Sequence, residues 1–369
     1  MIGIIDHKNI SKPHIINKLK EYKMDSLKIE RLVLLIISAF LLLYCSNKKD
    51  SADTISLWPE IEPYESGFLE VSNIHKVYYE LSGNPKGTPV FVIHGGPGSG
   101  CTPYMRRFFN PDKYLIVLHD QRGCGKSKPN AELRENTTQL LIEDIERLRR
   151  ELNLNKIILF GGSWGSTLSL AYAEKYPENV SGMILRGIFF GTREEITNIM
   201  MNIVPKFFPE SFETLALEFP DYQSSYHPED WLERLQTENI ENRKRNTKLY
   251  SRYEYKAGGL HIEDEMLNTY YNADENFHEY YTMALFENYY VSQACFLEKD
   301  QILRDINKIR HIPSIIINGR YDVICPPLTA FRLHKELSNS KLTIVEKAGH
   351  MMSEEGIERA LFEAAIEFE

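Results

Sequence analysis

The chain has 369 residues, 43% of them hydrophobic and 26% charged, with a net charge of −9. This is ordinary globular composition, long enough for one large domain with an insertion or for two domains, and it excludes a low-complexity or collagen-like chain. Residues 1–44 hold seven Lys/Arg against four Asp/Glu, which leaves the remainder at −12; so acidic a body argues against nucleic acid as a partner and would mildly attract cationic small substrates.

Leu32 to Cys45 is an uncharged run of fourteen residues, apolar except for Ser38. It is short for a membrane span, which needs about 20 residues. It suits the apolar region of an export signal, with Lys28 and Arg31 before it and the polar tether Ser46-Asn-Lys-Lys-Asp-Ser51 after it. The pattern resembles a bacterial lipoprotein signal with Cys45 as the lipidated residue, although Tyr44 stands where a small residue is usual. The expectation is an exported, membrane-tethered protein facing the periplasm or cell surface. An uncleaved anchor, a buried helix and a cytoplasmic protein are the alternatives, and Met24 is an alternative start. Residues 1–50 are therefore set apart from the fold.

From Tyr64 to Phe190 strands and helices alternate. Lys76–Leu81 reads as an antiparallel edge strand, and Pro89–His94 and Tyr114–His119 as short buried strands. Thr138–Leu152 carries Leu141, Ile145 and Leu148 at helical spacing. A strand over 156–160, a helix from Ser163 and a strand over 182–186 follow. Interleaving of this kind implies an α/β fold with a mostly parallel sheet. Residues 194–305, rich in Tyr, Phe, Glu and Asn, read as a helical cap inserted between a first core part, 51–193, and a second, 306–369. In the second part alternation returns with strands at Ile312–Asn318 and Lys341–Glu346 and a final helix from Glu355. The five cysteines, Cys45, Cys101, Cys124, Cys295 and Cys325, include no C-x-x-C pair, which disfavours zinc and redox readings; buried free thiols are expected.

The chemistry concentrates at Gly161-Gly-Ser163-Trp-Gly165, between an apolar run and a helix. This G-x-S-x-G pattern is that of a nucleophile elbow, whose turn is tight enough that Cβ atoms two residues either side of the serine would collide. A nucleophilic serine needs a base, and the base an orienting carboxylate, in the chain order Ser, Asp/Glu, His. Asp322 in Asn318-Gly-Arg-Tyr-Asp322 and His350 in Ala348-Gly-His350 each follow a late strand, where ligands of open α/β sheets bind. Ser163, His350 and Asp322 are the expected nucleophile, base and orienter. His94-Gly-Gly-Pro-Gly98 follows an early strand and offers the Gly96 N–H, with that of Trp164, as oxyanion donors; Pro97 has none to give. The G-K-S at 125–127 lacks the spacing of a phosphate-binding loop and reads as an ordinary loop. No cofactor or metal is called for.

His94–Gly98, Asp120-Gln-Arg-Gly-Cys-Gly-Lys-Ser127, Gly161–Thr167, Arg186-Gly-Ile-Phe189, Gly319–Asp322 and Gly349-His350 together resemble the proline iminopeptidases of the α/β-hydrolase superfamily, over roughly residues 60–369. The resemblance implies a metal-free serine aminopeptidase that releases N-terminal proline from short peptides with a free N-terminus. It further implies that Glu254, after Tyr250-Ser-Arg-Tyr253, and Glu287, in Glu287-Asn-Tyr-Tyr290, hold the substrate ammonium, and that Phe189 packs on the proline ring. Ile199 and Val291 stand where the family has tyrosine and phenylalanine, which opens the pocket to other N-terminal residues. The rival expectations are an esterase, lactonase or amidase on the same scaffold, for which a pair of cap carboxylates has no use, and a catalytically silent tethered binding protein.

Overall fold

The computed structural model describes residues 56–369 except Ser224. Cys45 and the apolar run before it lie outside the described residues. No helix among the described residues is long and apolar enough to cross a membrane.

Eight strands form one sheet in the order β1-β2-β4-β3-β5-β6-β7-β8. They are β1 (Glu65–Glu70), β2 (Lys76–Gly83), β3 (Thr88–Ile93), β4 (Tyr114–His119), β5 (Ile157–Ser163), β6 (Val180–Ile188), β7 (Ser314–Gly319) and β8 (Ser340–Val345). All pairings from β4 to β8 are parallel; β2 is antiparallel to both its neighbours. Lys76–Leu81 is thus antiparallel, as its alternation suggests, but it is not the edge. The edge is β1, whose glutamates face solvent and which buries only Leu69. Too few apolar residues alternate there for the strand to be read from sequence.

The central strands read as near-continuous apolar runs because both faces of the sheet are covered. Period-two alternation splits them between two cores. Phe91, Ile93, Leu115, Val117, Ile157 and Leu159 point to one face, where they meet α1 (Thr138–Glu151) and α2 (Trp164–Lys175). Val90, Val92, Ile116, Leu118, Ile158 and Phe160 point to the other, against Phe108, Phe109 and the final helix through Ile357, Leu361 and Ala364. At about 1.5–3 kcal/mol for each fully buried Val, Leu, Ile or Phe, this double-sided burial is the main force holding the sheet.

Between β6 and β7 the chain is helical. The principal helices are α3 (Arg193–Asn198), α4 (Pro209–Glu218), α5 (Pro228–Leu235), α6 (Ile240–Gly258), α7 (Asp264–Asn272), α8 (Phe277–Ser292) and α9 (Gln301–Asp305). Local signals start several of them: a Thr192/Glu195 capping box for α3, proline in the first turn of α4 and α5, and an Asn239 cap on α6. They enclose a third apolar cluster around Val204, Leu215, Trp231, Tyr250, Tyr253 and Leu285. The remaining helices of the second core part are α10 (Pro327–Glu336) and α11 (Glu355–Glu367).

Candidate active site

Ser163 ends β5 and caps α2 with φ 57° and ψ −127°, a left-handed conformation that side chains adopt only under constraint. The flanking glycines make it possible. A Cβ on Gly161 would run into the Gly165 carbonyl and the Ser169 hydroxyl, and one on Gly165 into the Ile93 carbonyl. The turn is therefore pinned between its own helix and the end of β3, and the Ser163 hydroxyl stands half-exposed at the positive end of α2.

Asp322 and His350 meet across the tops of β7 and β8, with His350 Nδ1 2.8 Å from Asp322 Oδ2. The other Asp322 oxygen accepts from the Ile324 and Cys325 backbone N–H groups at 3.0 and 2.7 Å. The carboxylate is thus buried, aimed and satisfied. On the far side of the imidazole, Arg186 Nη1 lies 3.2 Å from His350 Nε2 and donates to the His350 carbonyl at 2.7 Å. A guanidinium can only donate, so Nε2 is an acceptor and Nδ1 carries the proton shared with Asp322. Ser163 and Cys325 line one cavity. The structure thus joins Asp322 to His350 but does not hydrogen-bond His350 to Ser163; Arg186 occupies the nitrogen that a base would turn to the serine. Unliganded sites often hold such bonds open until substrate arrives. Burial and the nearby Asp322 charge push the Cys325 thiol well above its ordinary range, so it is not a thiolate.

Beside Ser163 runs the His94–Gly98 loop, where a Cβ on Gly95 would lie 3.5 Å from Ser163 Cβ. Gly96 has φ +100°, and a Cβ there would come within 2.6 Å of the Gly98 nitrogen, so only glycine fits. Gly98 in turn lies against the backbone of α8 at Met283. Gly96, Ser163, Phe189, Ile199, Glu254 and Glu287 line one cavity, which Val291 also lines. A second cavity of about 600 Å³ shares Phe189, Ile199, Ile324 and Cys325 with it.

Glu254 on α6 and Glu287 on α8 are close enough to perturb each other and line the same cavity. Burial raises the pKa of Glu254, and burial together with the Glu254 charge raises that of Glu287 well above the usual range. Two carboxyls at one buried site cannot both ionise cheaply, so the pair retains a proton. One oxygen of each, Glu254 Oε2 and Glu287 Oε2, is buried without a hydrogen-bond partner among the described residues. Unsatisfied buried acceptors are costly, and here both belong to the cavity that holds Ser163.

The sequence names Ser163, Asp322, His350, Gly96, Trp164, Phe189, Glu254 and Glu287 but not Arg186 or Cys325 as site members; the structure places Gly96, Ser163, Phe189, Glu254 and Glu287 on one cavity, whose lining does not include Trp164, Asp322 or His350. Arg186 stood inside a quoted motif with no role. Its one signal is a cation at the C-terminal end of a parallel strand. Among the described residues the cysteines are free thiols, three buried and Cys101 half-buried.

A mostly parallel sheet with a strained serine at a strand-to-helix turn defines a hydrolase-type α/β scaffold. Residues 88–357 match the family model described as alpha/beta hydrolase fold. An esterase from Exiguobacterium antarcticum shares this fold, with a TM-score of 0.55 at 20% identity over 82% of this chain and 98% of its own. Sequence comparison is more specific. A proline iminopeptidase of Xylella fastidiosa is 40% identical over 301 residues, 80% of this chain and 93% of its own. One of Arabidopsis thaliana is 40% identical over 313 residues, 83% and 80% respectively. The chain belongs to the proline iminopeptidase family.

Proposed function

We propose that the protein is a serine aminopeptidase that releases N-terminal proline from short peptides through an acyl-enzyme. Ser163 attacks the carbonyl of the first residue. His350, turning Nε2 from Arg186 to the serine, takes its proton and later delivers it to the departing amine; Asp322 fixes the tautomer and stabilises the imidazolium. The N–H groups of Gly96 and Trp164 receive the oxyanion, and water on the acyl-enzyme completes the cycle. Phe189 packs on the pyrrolidine ring, with Ile199 and Val291 as further walls. The helical insertion, residues 194–305, acts as the cap over the site.

The observation that carries this reading is the pair Glu254 and Glu287. Two buried carboxyls with vacant acceptor oxygens beside a serine nucleophile form a seat for a cation, and the α-ammonium of a peptide lies one carbon from the scissile carbonyl. Charge-assisted bonds to the ammonium would satisfy both oxygens and let the pair ionise. An ester substrate gains nothing from them.

The test is a panel of aminoacyl-naphthylamides beside acyl esters, with Ser163→Ala as control. Ser163-dependent turnover of prolyl-naphthylamide, abolished by N-acetylation, is expected. Ester cleavage without aminoacyl turnover would overturn the reading in favour of an esterase. The run ending at Cys45 supports export and tethering to a membrane, which fractionation of the full chain and of Cys45→Ala would test.

A further inference from the structure

Asp120-Gln-Arg-Gly-Cys-Gly-Lys-Ser127, the loop after β4, supplies no residue to the mechanism above, yet it is held by a dense set of bonds. The Asp120 carboxylate accepts from the backbone N–H groups of Cys101 and Lys126, both at 2.7 Å. Arg122 forks onto Asp144 of α1 at 2.5 and 2.7 Å. The Ser127 hydroxyl donates to the Asp120 carbonyl at 2.6 Å. These bonds hold the loop in place. Gln121 differs, because its side chain joins two other segments, the His94–Gly98 loop and the start of α2.

Gln121 Nε2 donates to the His94 carbonyl at 2.9 Å, and Gln121 Oε1 accepts from the Trp164 indole N–H at 2.9 Å. All three residues are nearly sealed from solvent, at 3%, 1% and 0% exposure for Gln121, His94 and Trp164. An indole N–H only donates and a carbonyl only accepts, so just one orientation of the amide satisfies both. The Gln121 backbone N–H also donates to His94 Nε2 at 3.0 Å. The shorter contacts put the ring proton on Nδ1, 2.9 Å from the Gly95 carbonyl oxygen, with the Gly100 nitrogen farther off at 3.3 Å. The Gly95 carbonyl and the Gly96 N–H belong to one peptide unit and point in opposite directions across it. Drawing the carbonyl toward His94 therefore turns the Gly96 N–H away from it.

We infer that Gln121 is a positioning residue for the oxyanion hole. It ties the segment that carries the Gly96 N–H to the residue that carries the Trp164 N–H, and so fixes the separation and direction of the two donors. Preorganised donors stabilise a developing oxyanion because they need no rearrangement when the charge appears. The inference rests on the proposed roles of Ser163, Gly96 and Trp164.

The experiment uses the full chain and Gln121→Met, which keeps length and volume and loses both bonds. A proline-derived boronic acid, which forms a tetrahedral adduct on a serine, is compared with pyrrolidine, which has the ring and amine but no carboxyl to meet the oxyanion donors. Gln121→Met should lower kcat about 10- to 100-fold with KM within about threefold, less than the roughly 10²- to 10³-fold cost of losing a donor outright. Boronate affinity should fall in parallel and pyrrolidine affinity should hold. Trp164→Phe cuts one arm alone and should show a smaller split of the same kind. Gln121→Met should cost less in the Trp164→Phe background than in the wild type. If Gln121→Met does not fold, Trp164→Phe carries the same comparison. Unchanged kcat, or equal weakening of boronate and pyrrolidine, would overturn the inference. Boronate inhibition is read against whichever substrate the wild type turns over, ester included. A wild type inert toward prolyl substrates would refute the aminopeptidase reading without sparing Gln121 its own test.

Discussion

The two halves of the site are held in different ways. Ser163, Asp322 and His350 stand at the ends of strands, and backbone geometry places them. The serine has a forced turn, the aspartate two backbone N–H donors, and the histidine a backbone N–H bonded to the Gly258 carbonyl at 2.8 Å. Glu254 and Glu287 lie within helices, where no turn or cap singles them out. The first half resembles a frame built for chemistry. The second is a carboxyl pair that keeps a proton until a cation replaces it.

The largest effect should come from the frame. Ser163→Ala is expected to abolish turnover by a factor on the order of 10⁴ or more with Tm unchanged, measured on prolyl-naphthylamide. Asp322→Asn should cost about 10⁴ in kcat by inverting the His350 tautomer. Loss of KM rather than kcat in either variant would erase the contrast between the halves.

The helical half should trade activity against stability. The Glu254→Gln/Glu287→Gln double variant is expected to lose about 10²- to 10³-fold in kcat/KM on prolyl substrates. It should retain ester cleavage and melt at a higher temperature. The pH dependence follows from the raised carboxyls. Protons compete with the substrate ammonium, so KM should rise as pH falls, in the wild type and not in the double variant. Folding stability moves the other way. Because the pair binds its proton more tightly when folded, stability is full below the ordinary glutamate range and is lost as pH rises through the raised one. A double variant whose Tm gain is the same at pH 4 and pH 8 would show that charge is not the cause.

Smaller effects should sharpen the pocket and the frame. Ile199→Tyr is expected to narrow the wall between the two cavities, lowering turnover of longer N-terminal residues a few-fold relative to proline. In the core, Glu174 on α2 is buried, and burial raises its pKa to about 8. Its folded form holds the proton more tightly, so stability should decline from about pH 5 to about pH 8. Glu174→Gln should flatten that part of the Tm–pH curve without changing turnover.

Much of this was legible in the residues because strand ends announce themselves. Apolar runs that stop at Gly161, Gly319 or Val345 locate the C-terminal edge of a parallel sheet, and the polar residues just beyond are candidates at once. Ser163, Asp322, His350, the Gly96 loop and the parallel core could be read in that way. Glu254 and Glu287 could not, since a glutamate in a helix usually faces water; only the resemblance to a known family singled them out. Gln121 and Arg186 sat inside quoted motifs with no visible partner, because their partners are 43 and 164 residues away. The edge strand β1 was too polar to alternate.

Gly98 rests on the backbone of α8, where any side chain would press into Met283. The loop carrying Gly96 and the helix carrying Glu287 are therefore fitted surfaces. For anyone exchanging caps between relatives to change specificity, the crossover points matter. A grafted helical segment that alters the backbone at Met283 needs its own glycine loop with it, or the new recognition surface will arrive with a displaced reaction centre.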